Sequence, residues 1–130
     1  MTKCLVLLTL LAVASTVTAQ TNQAQPTAAY LEFMAFAQKA TSFEQIAPYL
    51  TDALKKALST KDAQAGMFKY FKITIDLADL TVTKETVTGD RCVLLATAKD
   101  KAGKPASGKI DLVRENGQWK FDDHGWIGAP

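Results

Sequence analysis

The spacing of apolar residues changes near residue 73, and that change bounds what the chain can fold into. Before it, apolar side chains recur every three or four residues; after it, they alternate. Helices first and strands afterwards predict an α+β fold, with the helices packed on one face of an antiparallel sheet. The helical half opens with AAYLEFMAFAQKA, capped by Thr27, in which Tyr30, Phe33, Met34 and Ala37 share a face. Leu31, Ala35 and Phe36 load neighbouring faces, so this helix expects cover on more than one side. Ser42-Phe43-Glu44-Gln45 matches a capping box before a short turn that Pro48 interrupts. Leu50, Ala53, Leu54, Ala57 and Leu58 form an amphipathic stripe, and Asp62 opens a helix through Phe71 that aligns Gln64, Met67, Phe68 and Phe71.

The second half reads as four strands. Ile73, Ile75 and Leu77 alternate, then Leu80 and Val82 alternate in the opposite phase, which predicts a break or bulge near Ala78-Asp79. Gly89-Asp90 is a turn signal, and the CVLLATA run from Cys92 suits a central strand. Lys101 to Pro105 makes a charged turn, Ile110 and Leu112 alternate with Lys109 and Asp111, and Asn116-Gly117 signals a tight hairpin. Gln118 to Asp122 closes the series, with Trp119 and Phe121 on one face. Three turns between four runs predict an antiparallel meander.

The N-terminus has its own signature. Lys3 precedes the ten-residue apolar run Leu5 to Ala14, and Val17-Thr18-Ala19 supplies small or modest residues before a cleavage site. This is the pattern of a secretory signal peptide, about half as long as a membrane span requires. Residues 1–19 are therefore expected to be removed between Ala19 and Gln20, residues 20–26 to form a flexible leader, and residues 27–130 to form one domain. Export to the periplasm or the medium follows, with no stable membrane anchor after cleavage. Cleavage also removes Cys4, leaving Cys92 alone and no intrachain disulfide. With 15 basic and 13 acidic residues, the net charge of +2 is too balanced for a nucleic-acid reader working by bulk electrostatics.

The order of elements, together with DLTVTKETVTGDRCVLLATA and KIDLVRENGQWKFDD, resembles small exported bacterial members of the nuclear transport factor 2-like superfamily. The segment carrying Gly117, Trp119, Lys120 and Phe121 matches their Gly-x-Trp-Lys-aromatic hairpin. The resemblance covers about residues 27 to 126. It implies a curved four-stranded meander wrapped around the helices, with a cone-shaped cavity open at one end. None of the family's catalytic motifs maps residue by residue onto this chain, so no active site is carried over, and fold alone does not decide function.

Several residues are candidates for chemistry. His124 is the sole histidine, and with Asp122 it could form a base with an orienting carboxylate; Asp123 would point to the other face. Two ligands are too few for zinc, so no metal and no cofactor is expected. The simpler reading of Asp122-Asp123-His124 is a solvated loop after the last strand. Cys92 reads as core despite the adjacent Arg91. Tyr30, Tyr49 and Tyr70 could donate hydroxyls, with Asp76 or Asp79 as a base, while Ser42, Ser59 and Ser107 lack a nucleophile elbow. Lys99, Lys101, Lys104 and Lys109 read as a solvated hairpin tip.

Tyr30, Phe33, Met34, Met67, Tyr70, Phe71 and Trp119 are the candidate lining of a ligand pocket, although helical spacing alone also produces such stripes in a plain core. The reading favoured is a non-catalytic binding domain for a small apolar ligand or an exported protein partner. The alternatives are an isomerase- or hydrolase-like enzyme with an acid-base pair in the cone, and a cystatin-like inhibitor or interaction module. A homodimer through the outer sheet face, where Leu95 and Val113 are expected, is a further expectation.

Overall fold

A computed structural model describes residues 25–128 of the chain. The expected signal peptide, the Ala19–Gln20 junction and all but the end of the leader lie outside these residues. The helical half comprises α1 (Pro26–Lys39), α2 (Phe43–Ile46), a 3-10 turn (Ala47–Tyr49), α3 (Asp52–Ala57) and α4 (Lys61–Thr74). The strands β1 (Ala78–Thr88), β2 (Arg91–Lys99), β3 (Pro105–Glu115) and β4 (Gln118–Ile127) follow. They form one antiparallel sheet in the order β1-β2-β3-β4, a meander as the turn signals predict. Asn116 and Gly117 adopt φ values of 50° and 75°, the left-handed pair that a two-residue hairpin requires. None of the described helices is long and apolar enough to cross a membrane.

Two sequence expectations are corrected here. Ile73 and Ile75 do not begin a strand: α4 continues to Thr74. A short apolar run satisfies both periods, and the helix prevails because it buries Phe71, Thr74 and Ile75 at offsets of three and four while leaving Ile73 57% exposed. Thr27 does not cap α1, which starts one residue earlier at Pro26 with Gln25 as N-cap and no side-chain cap. Instead the Thr27 N–H and hydroxyl both donate to Glu85 Oε1 on β1, at 3.0 and 2.8 Å. A carboxylate supplied from the sheet thus faces the positive end of the helix.

One sheet face carries the core. Along β2, Cys92, Leu94, Ala96 and Ala98 are buried while their neighbours Arg91, Leu95, Thr97 and Lys99 are exposed. On β3, Ala106, Ile110 and Leu112 face the same way. Leu95 and Val113 lie on the outer face, paired with Lys109 and Arg91. Against the inner face pack Tyr30, Phe33, Met34 and Ala37 of α1, with Phe43, Ile46, Leu50, Phe71 and Ile75. β1 carries register shifts between Ala78 and Thr81 and between Val82 and Lys84, and Asp79 takes a φ of 53° at the break near Ala78-Asp79. Each shift bends and twists its strand.

Polar anchors fix the helices to one another and to β4. The Lys72 ammonium donates to the carbonyls of Ala37 at 3.1 Å, Gln38, and Ala40 at 3.1 Å, gathering the acceptors at the end of α1. Thr51 accepts from Leu54 N–H at 3.1 Å, capping α3, and donates to Asp122 Oδ1 at 2.7 Å; its own N–H donates to Phe121 O at 3.0 Å. Replacing Lys72 with Met keeps the aliphatic stem and removes this donor from the Gln38 and Ala40 carbonyls, while Ala37 O retains the Ala40 N–H at 3.2 Å. Lys72→Met is expected to lower stability by about 2 kcal/mol, read as a reduced urea midpoint with an unchanged slope.

Candidate functional site

The site follows from one extra residue in β4. Leu112 pairs with Phe121 and Asp111 pairs with Asp123, so Asp122 has no partner of its own across the ladder. Without that bulge, strict alternation would place Phe121 and His124 on opposite faces. With it, the odd-numbered pair Trp119 and Phe121 and the even-numbered pair His124 and Trp126 face inward together, opposite the inward positions Leu112, Ile110 and Gly108. Gly108 is the partner of Trp126, and a Cβ there would lie 2.7 Å from the indole. The absence of a side chain lets the ring lie against the strand.

The Asp122-Asp123-His124 segment is therefore strand, not the solvated loop expected from the sequence. Asp123 is exposed, and its Oδ1 accepts from the backbone N–H of His124 at 2.8 Å. Asp122 is committed to Thr51, and among the described residues no hydrogen bond joins it to His124. The imidazole is stacked on Phe71, with ring centres 5.3 Å apart, and meets the edges of Phe121 at 5.1 Å and Trp126 at 6.5 Å. Phe33 completes the layer, 5.6 Å from Phe71 and 5.1 Å from Phe121. Burial in this aromatic layer lowers the His124 pKa from 6.5 to about 4, and the charge of Asp123 opposes that shift without reversing it.

Among the described residues, three buried polar atoms in this region have no hydrogen-bond partner: Tyr30 Oη, His124 Nδ1 and Trp126 Nε1. Tyr30 is 1% exposed, and burial drives its phenol well above the ordinary range. The neighbouring Trp126 N–H offsets that rise in part, yet the two groups do not close a hydrogen bond. Buried polar groups normally find a protein or water partner, so three unpaired atoms beside one aromatic layer call for an explanation.

The other sequence candidates separate by position. Phe33, Met34 and Phe71 join Tyr30 in the core; Met67 and Trp119 are half-buried at its margin, the latter under the Arg114 guanidinium at 5.1 Å. Tyr70 is 68% exposed, on the solvent side of α4. Tyr49 sits 5.0 Å from Phe36 and 5.7 Å from Phe33. Asp76 pairs with Lys101 at 2.7 Å and Asp79 with Lys99 at 3.5 Å, both at the surface. Sequence reasoning missed Trp126 and Thr74, and the three-residue spacing from Phe121 to His124 was the available signal for the bulge.

A separate polar cleft of about 340 Å³ lies between the ends of α1 and α4, lined by Gln38, Lys72, Ile75, Asp76 and Leu77. Its polar groups already have partners: Lys72 holds the α1 carbonyls, and Gln38 Nε2 donates to Ile75 O at 3.2 Å. Among the described residues, no group of three or more His, Cys, Asp or Glu is arranged to hold a metal ion.

The neutral, half-buried His124 makes stability depend on pH with a definite sign. Between pH 6.5 and about 4 the folded ring binds fewer protons than the unfolded one. Its contribution is therefore complete above pH 6.5 and is lost as pH falls through that window. The wild-type chain is expected to lose on the order of 3 kcal/mol from this group between pH 7 and 4. His124→Phe should remove that limb; a wild-type urea midpoint that stays constant from pH 7 to 5 would contradict the burial of a neutral ring. Compared with known proteins, the chain matches no family model and no curated protein sequence.

Proposed function

We propose that this protein is an exported, non-catalytic binding domain of the cone-shaped, nuclear transport factor 2-like type. It holds a small, largely apolar molecule between α1, α4 and the inner face of β4. The observation that carries this reading is the trio of unpartnered buried atoms, Tyr30 Oη, His124 Nδ1 and Trp126 Nε1, beside the Phe71–Phe121 layer. An apolar wall with a few unsatisfied polar groups is the usual composition of a small-molecule site. The neighbouring inward positions Ala96, Ala98 and Ala106 are small, which limits how far the sheet itself fills that end of the interior.

The enzyme reading asks His124 to work as a base. Among the described residues no carboxylate is hydrogen-bonded to either ring nitrogen, and a pKa near 4 makes the ring a weak proton acceptor at neutral pH. Binding accounts for the same atoms without a reaction.

The test is native mass spectrometry of the chain made with its own N-terminus, exported, and purified without denaturant. The expected spectrum shows a polypeptide beginning at Gln20 with a small non-protein molecule retained in part of the population. In Tyr30→Phe or Trp126→Phe that adduct should be reduced. A retained molecule whose occupancy ignores both substitutions would place binding elsewhere, and a chain that keeps residues 1–19 would defeat the export reading.

A further inference from the structure

The hydrogen-bonding state of the His124 ring can be read from its neighbour. The Thr74 hydroxyl has a single proton, which it gives to the carbonyl of Phe71 at 2.9 Å. Toward His124 Nε2, 3.4 Å away, Thr74 Oγ1 therefore offers only a lone pair. With the Thr74 proton given to Phe71 O, the tautomer that fits carries its proton on Nε2 and leaves the unpartnered Nδ1 as an acceptor. Trp126 Nε1–H can only donate. Tyr30 Oη retains its proton and can donate or accept. Trp126 Nε1–H and the Tyr30 hydroxyl are neighbours and complementary, so an occupant that gives a proton to His124 Nδ1 and accepts one from the Tyr30–Trp126 pair satisfies all three.

Charge narrows the class further. Lys72 of α4 and Lys120 of β4 donate to the carbonyls of Ala37 and Pro48, and Arg114 lies over Trp119, so none of them is held against the orphan atoms. An anion would have to shed its water in an aromatic layer without a cation to meet it. A pure hydrocarbon would leave three buried polar atoms unpaired.

Resting on the binding reading above, we infer that the site takes an uncharged molecule with an apolar body and one group that both donates and accepts, an alcohol before either a hydrocarbon or a carboxylate. Discrimination of this kind is steep, because a site built to hydrogen-bond a hydroxyl penalises the analogue that lacks one.

Three probes of similar size test it: benzyl alcohol, toluene and benzoate, titrated into the full chain at pH 7.5 and followed by tryptophan fluorescence and calorimetry. Benzyl alcohol is expected to bind about tenfold or more tightly than toluene, with benzoate the weakest. Tyr30→Phe and His124→Leu should each cut the preference for alcohol over toluene several-fold. Equal affinity for benzyl alcohol and toluene would overturn the ligand class and leave the binding reading standing. Tighter binding of benzoate would overturn the requirement for a neutral group. No binding of any probe up to its solubility limit would overturn both.

Discussion

The extra residue at Asp122 decides which side chains of β4 reach the interior, and the arrangement of the core depends on it. On a regular strand, a sequence that places Trp119 and Phe121 inside must place His124 and Trp126 outside. The bulge keeps all four on one side, and its cost is met locally. The Asp122 carboxylate accepts from Thr51, whose backbone N–H donates to Phe121 O on the same stretch of strand. The Leu50–Thr51 segment thereby pairs with part of the β4 edge, with Leu50 bridged to Phe121. Helix capping, edge protection and inward rotation of the imidazole converge on one threonine side chain and the backbone beside it.

α1 is held at its two ends by opposite charges. Glu85 meets the amide end from β1, and Lys72 meets the carbonyl end from α4. Both contacts oppose the helix dipole with the favourable sign, and Lys72 is partly withdrawn from water, where such an interaction is worth more. Fixing both termini sets the position of Tyr30, whose hydroxyl must reach the neighbourhood of Trp126. The aromatic layer then fills the space between: Phe33 against Phe121, Phe71 against both, and His124 stacked on Phe71. These groups couple tightly, so a substitution at one ring is felt by its neighbours.

Much of the architecture was legible in the sequence because it rests on local signals. The apolar CVLLATA run, the Asn116-Gly117 hairpin and the Tyr30–Phe33–Met34–Ala37 face each mark an element without knowledge of the rest. The run suggested a strand covered on both faces, whereas only one face is covered, with Leu95 exposed on the other. The misread positions depend on distant partners. Whether Ile73 belongs to helix or strand is decided by the burial of Phe71 and Ile75, and the role of Thr27 by a glutamate 58 residues away. His124 looked solvated beside two aspartates; its burial follows from counting residues across the β3–β4 ladder, which requires the pairing itself. Tyr30 and Phe71 were identifiable as pocket or core from spacing alone, whereas their unpaired polar neighbours emerge only from packing.

Cys92 gives the fold an internal clock. Its thiol is buried on the inner face of β2, between Val87 of β1 and Leu112 of β3, and burial also raises its pKa, which suppresses the reactive thiolate. A thiol reagent in solvent reaches that sulfur only when the packing around it opens. In a chain that starts at Gln20, no other cysteine competes for the reagent. The rate of modification therefore reports how often that packing opens, and any molecule that binds only the closed form slows it.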